Sequence, residues 1–236
     1  GISAFEGCSE LVSVDMSDVR TIPTQAFYQC SALTTVDMDS VETIGDHAFY
    51  QCSALTSVEM NSVETIGDHA FEGCTALTRV PMSAVRIISY QAFKNTGLTS
   101  ITIPVTLEQI GSDVFDGCNA LTSVTWNSPT DIPDRFIHGR LSLQNVKITQ
   151  CQLIGISAFE GCRALTTLDM DSVRTIETQA FKDTGLTSIT IPVTLDQIGS
   201  NVFYGCNAVT SVTWNSPIDI PDRFIHGRLS LQNVKI

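Results

Sequence analysis

The residues best equipped for chemistry in this chain are its eight cysteines and four histidines, which could serve as disulfide partners, thiolate nucleophiles or metal ligands. Seven of the cysteines, Cys8, Cys30, Cys52, Cys74, Cys118, Cys162 and Cys206, each stand three residues after a phenylalanine. If those phenylalanines mark successive repeats, the first four cysteines lie on neighbouring repeats, a separation that does not forbid bridging. Cys118, Cys162 and Cys206 are one repeat further from their nearest companions, at about 10 Å, and cannot pair. One slot therefore holds pairable and unpairable thiols alike, and the simplest role for all of them is a small buried side chain. Cys151 falls where other repeats carry Val63 or Val85 and belongs to the core on the same reasoning.

The sequence contains no Cys-x-x-Cys, no His-Glu-x-x-His, no phosphate-cradling glycine loop and no Gly-x-Ser-x-Gly. No catalytic residue, cofactor or metal site is assigned, and the chain is not read as an enzyme. The histidines repeat with their surroundings: His47 and His69 in Gly-Asp-His-Ala-Phe, His138 and His226 in Phe-Ile-His-Gly-Arg. Asp46-His47 stacked beside Asp68-His69 could hold a metal, while duplicated surface residues are the simpler reading.

The elements that position these residues follow from a periodicity. Phenylalanine recurs at 5, 27, 49, 71, 93, 115, 136, 159, 181, 203 and 224, a spacing of 21 to 23 residues, which is the signature of a repeat array. Aligned on phenylalanine, the unit reads Ile-x-x-x-Ala-Phe-x-x-Cys-x-x-Leu-x-x-Val-x-Met-x-x-Val, as in Ile66, Ala70, Phe71, Cys74, Leu77, Val80, Met82 and Val85. On this alignment Thr96, Gly139 and Thr184 occupy the cysteine slot of their repeats. Leu-x-x-Val-x-Met is a short strand whose Val and Met point inward. The remainder of the unit predicts a turn and an irregular or one-turn helical return. A single unit cannot bury its own apolar face, so neighbours must stack with their strands parallel. Trp126 and Trp214 take the inward slot of Met60 or Ile103 and read as core, widening the repeat locally.

A second order of repetition is present: residues 91–148 and 179–236 align without gaps over 58 positions and differ at six. The chain opens midway through a return segment and ends on the last inward residue of a strand. The expectation is one domain over 1–236, about eleven units truncated at both ends.

The formal charge of −12 disfavours nucleic acid and anionic membrane surfaces and favours a basic partner or a cation. No apolar run is long enough for a transmembrane helix, and no Asn-x-Ser/Thr sequon occurs. The outward strand positions carry the information about partners. The residue between the two inward ones is Asp15, Asp37, Glu59, Pro81, Thr102, Thr125, Lys147, Asp169, Thr190, Thr213 and Lys235 in successive repeats. The next outward position includes Ser17, Asp39, Asn61 and Asp171. The first three repeats thus present an acidic patch followed by a hydroxyl-rich stretch. Stacked like charges cost stability, which points to use by a basic segment or a divalent cation; the plainer reading is a solvated face whose charges arrived by copying. The candidate binding residues are Asp15, Asp37, Asp39, Glu59, Asn61, Thr102, Thr125, Lys147, Asp169 and Asp171.

The strand frame, together with Ile44, Ala48, Phe49, Cys52 and Leu55 and the insert Ile103-Pro104-Val105-Thr106-Leu107-Glu108-Gln109-Ile110-Gly111, resembles the BspA-like (Treponema-type) leucine-rich repeats over essentially the whole chain. Val19, Val41, Val63 and Val85 stand where the common leucine-rich repeat has asparagine, which favours this subfamily over the ribonuclease-inhibitor type. The resemblance implies an α/β, strand-rich, right-handed solenoid with a parallel sheet on the concave face and irregular or short helical returns. It also implies a cell-surface or secreted protein that binds host matrix proteins or other cells through the concave face. The alternatives are a structural spacer and an intracellular scaffold or effector.

Overall fold

A computed structural model describes residues 1–222, 224–226 and 231–236. The chain divides into two compact units, Gly1–Leu121 and Thr122–Ile236. Along the first run Ser13–Asp15 (β1), Thr21–Ile22 (β2), Thr35–Asp37 (β3), Thr43–Ile44 (β4), Ser57–Glu59 (β5), Thr65–Ile66 (β6), Ile87–Ile88 (β7), Ser100–Ile103 (β8) and Gln109–Ile110 (β9). Along the second run Ser123–Trp126 (β10), Asn145–Ile148 (β11), Leu153–Ile154 (β12), Thr167–Asp169 (β13), Thr175–Ile176 (β14), Ser188–Ile191 (β15), Gln197–Ile198 (β16), Ser211–Trp214 (β17) and Asn233–Lys235 (β18).

Each unit is a parallel β-solenoid in which one repeat makes one coil. The Leu-x-x-Val-x-Met segments pair in register, β1 with β3 and β3 with β5 in the first unit, β10 with β11 and β11 with β13 in the second. The expected alternation holds: Val36, Met38, Val58 and Met60 are buried, while Asp37 and Glu59 between and beside them are exposed.

The helical return is overturned. Among the described residues there is no helix, so the α/β assignment gives way to a strand-rich fold. In its place stands a second parallel ladder, β2-β4-β6-β7-β9 in the first unit and β12-β14-β16 in the second. Beyond it the chain crosses an arc of tight turns. His47, Phe49 and Gln51 donate their N–H groups to the carbonyls of Asp68, Ala70 and Glu72 on the next coil, while Ala48, Tyr50 and Cys52 donate three residues back. His47 and Gln51 lie in the left-handed region, at φ 54° and 55°. A helix needs consecutive right-handed residues bonded to the fourth residue back. Here alternate donors are spent on the neighbouring coil, and the arc cannot wind.

The core is a set of columns, one slot deep per coil. In the first unit Phe5, Phe27, Phe49, Phe71 and Phe93 stack nearly parallel at 5.2–5.3 Å, with Phe115 at 5.8 Å beyond Phe93. In the second, Phe159, Phe181 and Phe203 repeat the stack at 5.4 and 5.5 Å.

Phe136 departs from the slot that the phenylalanine spacing assigned to it. Ile137, not Phe136, donates its N–H to the Ala158 carbonyl, as Phe159 does to Ala180, and the Cys162 thiol reaches the Ile137 carbonyl. Ile137 therefore fills the phenylalanine slot, and Phe136 the slot of Ala48 or Ala158. The cysteine slot of that coil is consequently Arg140, not Gly139. The larger ring in the alanine slot packs edge-on against Trp126 at 5.0 Å, and Phe224 does the same with Trp214. Both indoles are buried, as expected, and donate to the carbonyls of Thr130 and Ile218.

Two coils shorten before the strand and lengthen after it: Thr96-Gly97-Leu98 and Thr184-Gly185-Leu186 carry one residue fewer than Cys74-Thr75-Ala76-Leu77. A Cβ on Gly97 would sit 2.3 Å from the Thr75 carbonyl oxygen, and one on Gly185 2.1 Å from that of Arg163. Only glycine fits this close approach. The insert Pro104-Val105-Thr106 restores the lost residue, and β7 and β9 stay in register at Ile88 and Ile110.

Candidate functional site

The acidic row forms as expected. In the first unit Asp15 lies opposite Asp37, and Asp37 opposite Glu59. Beside it runs a hydroxyl row of Ser13, Thr35 and Ser57, in the same register. Together with Asp39 these side chains line an open trough of about 430 Å³. Asp15, Asp37, Asp39 and Glu59 are all exposed, and none of them forms an ion pair among the described residues.

The local turn holds part of the row in shape. Asp15 accepts the Ser17 N–H at 3.0 Å, Asp37 accepts that of Asp39 at 3.3 Å, and Asn61 donates to Asp39 at 3.3 Å. Hydrogen bonds from Ser17, side chain first and backbone second, hold the Asp15 carboxyl below the usual carboxylate range. The strand ladder stops at Glu59. Pro81 follows in the corresponding slot, has no N–H to offer, and residues 79–82 form no strand. Thr102 lies exposed beyond this break, in β8.

In the second unit the same slots hold Thr125, Lys147 and Asp169 in register. Lys147 and Asp169 are exposed, as is Asp171, whereas Thr125 is half-buried. The sequence-predicted residues therefore fall into two groups, one per unit, with a carboxylate row in the first and a mixed row in the second.

On the turn arc of the first unit the two histidines stack, as the repeat allowed, and the structure adds tyrosines and a glutamate that the repeat pattern did not bring to them. His47 and His69 stack at 4.7 Å with their planes 20° apart. Tyr50 lies 5.5 Å from His47, Tyr28 stacks on Tyr50 at 4.8 Å, and Tyr90 packs edge-on against His69 at 5.2 Å. The partnering aspartates are used elsewhere: Asp46 accepts the Asp68 N–H and Asp68 that of Tyr90. Glu72, four positions beyond Asp68, contacts His69 instead, its Oε2 at 2.5 Å from Nδ1. Stacking of i and i+22 side chains, together with the Glu three residues after His69, is the signal that would have found this strip. Of the second histidine motif, Gly227 and Arg228 lie outside the described residues.

The cysteine column is buried except at Cys8, which is exposed, and every cysteine is a free thiol. Cys30, Cys52, Cys74, Cys118, Cys162 and Cys206 each donate to a backbone carbonyl 25 residues earlier, at 2.9–3.1 Å. Burial pushes the Cys52 thiol up to about 12 and those of Cys151 and Cys162 to about 11. Buried neutral thiols of this kind pack and do not react. Among the described residues no cluster of three or more histidine, cysteine or acidic side chains could hold a metal, and no helix is long and apolar enough to cross a membrane.

A family pattern for the BspA type leucine rich repeat region matches the chain in six copies, across residues 1–97, 86–210 and 130–236. The chain belongs to the BspA-type leucine-rich-repeat family. Repeats of this family are in general non-enzymatic scaffolds. A leucine rich cell surface protein of Faecalibacterium prausnitzii A2-165 is similar at 26% identity and a TM-score of 0.53, over all of this chain and 75% of its own. A leucine-rich repeat protein of Eubacterium ventriosum ATCC 27560 shares the fold at a TM-score of 0.61 and 22% identity, over 80% of this chain and 63% of its own. No curated protein matches the BspA-type chain.

Proposed function

We propose that this BspA-type chain is a protein-binding module of a surface or secreted protein, and that it takes its partner on the strand face. The observation that carries the reading is the register of Asp15, Asp37 and Glu59, exposed and without an ion-pair partner among the described residues. Like charges opposite one another in a sheet are destabilising. A basic segment laid along the trough would relieve that repulsion and donate hydrogen bonds to the carboxylates and to the flanking Ser13, Thr35 and Ser57 hydroxyl oxygens. Asp39 and Asn61 border this site. Thr102 adds a hydroxyl to the strand face of the first unit, and Thr125, Lys147, Asp169 and Asp171 give the second unit a strand face of its own with mixed polar character. The similarity to a leucine rich cell surface protein supports placement at a cell surface.

The test is binding of the chain to a lysine-rich peptide and to immobilised matrix proteins, before and after D37K/D39K/E59K, with folding followed by circular dichroism. The expected result is at least a tenfold loss for the triple variant and weaker binding of the wild type in high salt. Undiminished binding by a folded triple variant would remove the acidic row from the reading and favour a spacer.

A further inference from the structure

We propose that His47 and His69 form a two-imidazole chelate for a first-row divalent transition metal, Zn²⁺ or Ni²⁺, on the turn arc of the first unit. The two side chains leave equivalent points on successive coils. Each root is fixed, because the His47 N–H donates to Asp68 and the His69 N–H to Tyr90, and both residues hold φ at 54°. Their ring centroids are 4.7 Å apart, close enough that turning both rings about their side-chain torsions directs one nitrogen of each at a shared ion.

Glu72 supplies the second feature. Its carboxylate takes the Nδ1 side of His69, which leaves Nε2 as the free lone pair in the neutral ring. A carboxylate behind a histidine is the usual device for fixing a ligand's tautomer and raising its basicity. Lys94, 3.9 Å from the other Glu72 oxygen, anchors that carboxylate in turn. Both histidines are partly exposed, so an ion can reach them and water can complete its coordination. Imidazole suits Zn²⁺ and Ni²⁺, and a net charge of −12 favours cation approach. Asp46 and Asp68 each hold a backbone N–H with Oδ1, and among the described residues no third ligand side chain joins the two histidines, so the chelate is a pair and its affinity modest.

The test is isothermal titration of the whole chain with ZnCl₂, then NiCl₂, near neutral pH. His→Gln is the appropriate variant, because Gln25 and Gln91 occupy the same slot at φ 57° and 52°, so H47Q and H69Q fold. One ion per chain is expected, with at least a tenfold weaker Kd in either variant. E72Q should weaken binding about tenfold, as expected when a carboxylate that orients a metal-binding imidazole is lost. H138Q and C8S, which alter the histidine of the other motif and the exposed thiol, should leave it unchanged. No binding by the wild type, or binding that survives H69Q or is lost in C8S, would overturn the proposal.

Discussion

The strand faces of the two units use one backbone for opposite electrostatic ends. In the first, Asp15, Asp37 and Glu59 stand in register and repel. In the second, Lys147 takes the middle position between Thr125 and Asp169, and the row contains its own counter-charge. Inward of both, the same Val, Met, Ile and Phe slots recur. The columns fix the coil, and the outward residue is free to vary at a cost of only about 0.2–1 kcal/mol per pair. Surface charge in this solenoid is thus available to selection for a partner without jeopardising the fold.

The largest effect expected tests the shared core beneath that contrast. F71A, in the middle of the parallel stack, should cost about 3–5 kcal/mol in chemical denaturation. F136A should cost a similar amount, yet W126M/F136A/I137F, which rebuilds the consensus coil of Met, Ala and Phe, should recover to within about 1.5 kcal/mol of the wild type. Failure of the triple variant to recover would mean that the edge-on packing of Phe136 against Trp126 does not stand in for the consensus packing.

Next in size is an alkaline transition. A thiol raised by burial favours the folded state while it stays protonated, so its contribution is complete below the ordinary thiol value of 9.0 and fades as pH rises through the folded value. For Cys52 the window runs from 9.0 to about 12, and for Cys162 from 9.0 to about 11. Neighbouring Cys30 pushes Cys52 up further, whereas Arg140 beside Cys162 pulls the other way. Denaturant midpoints measured across this range should fall, and C52T should lessen the fall more than C162T. Threonine already fills this slot at Thr96, where its hydroxyl bonds the Phe93 carbonyl.

The smallest effect addresses the faces directly. D37K, which gives the first unit the alternation of the second, should stabilise by about 0.2–1 kcal/mol, and K147E should destabilise by as much. Both shifts should shrink in high salt. If D37K also abolishes binding of a basic peptide, stability and function are opposed at that row. A D37K variant that is both no more stable and fully binding would dissolve the contrast between the faces.

Much of this was legible in the residues. The 22-residue period, the inward Val and Met, the buried tryptophans and the buried cysteine column follow from slots that recur with the same side-chain type, because stacking forces equivalent positions into equivalent surroundings. The acidic row was legible for the same reason. The second ladder was not, since two-residue strands such as Thr43–Ile44 are too short to show an alternation. The slot of Phe136 is not legible, because residue type does not report register and an aromatic residue one position early looks like a shorter repeat.

The sequence by itself determined the repeat, its inward and outward positions and the charge that each outward slot would carry, because periodicity maps directly onto a stack. Tertiary structure decided what the return segment became, since hydrogen bonds to the next coil compete with local helix and no sequence position reveals which partner wins. It also decided that Glu72, and not Asp46 or Asp68, stands against His69 in the histidine stack, a matter of side-chain direction from left-handed backbone positions.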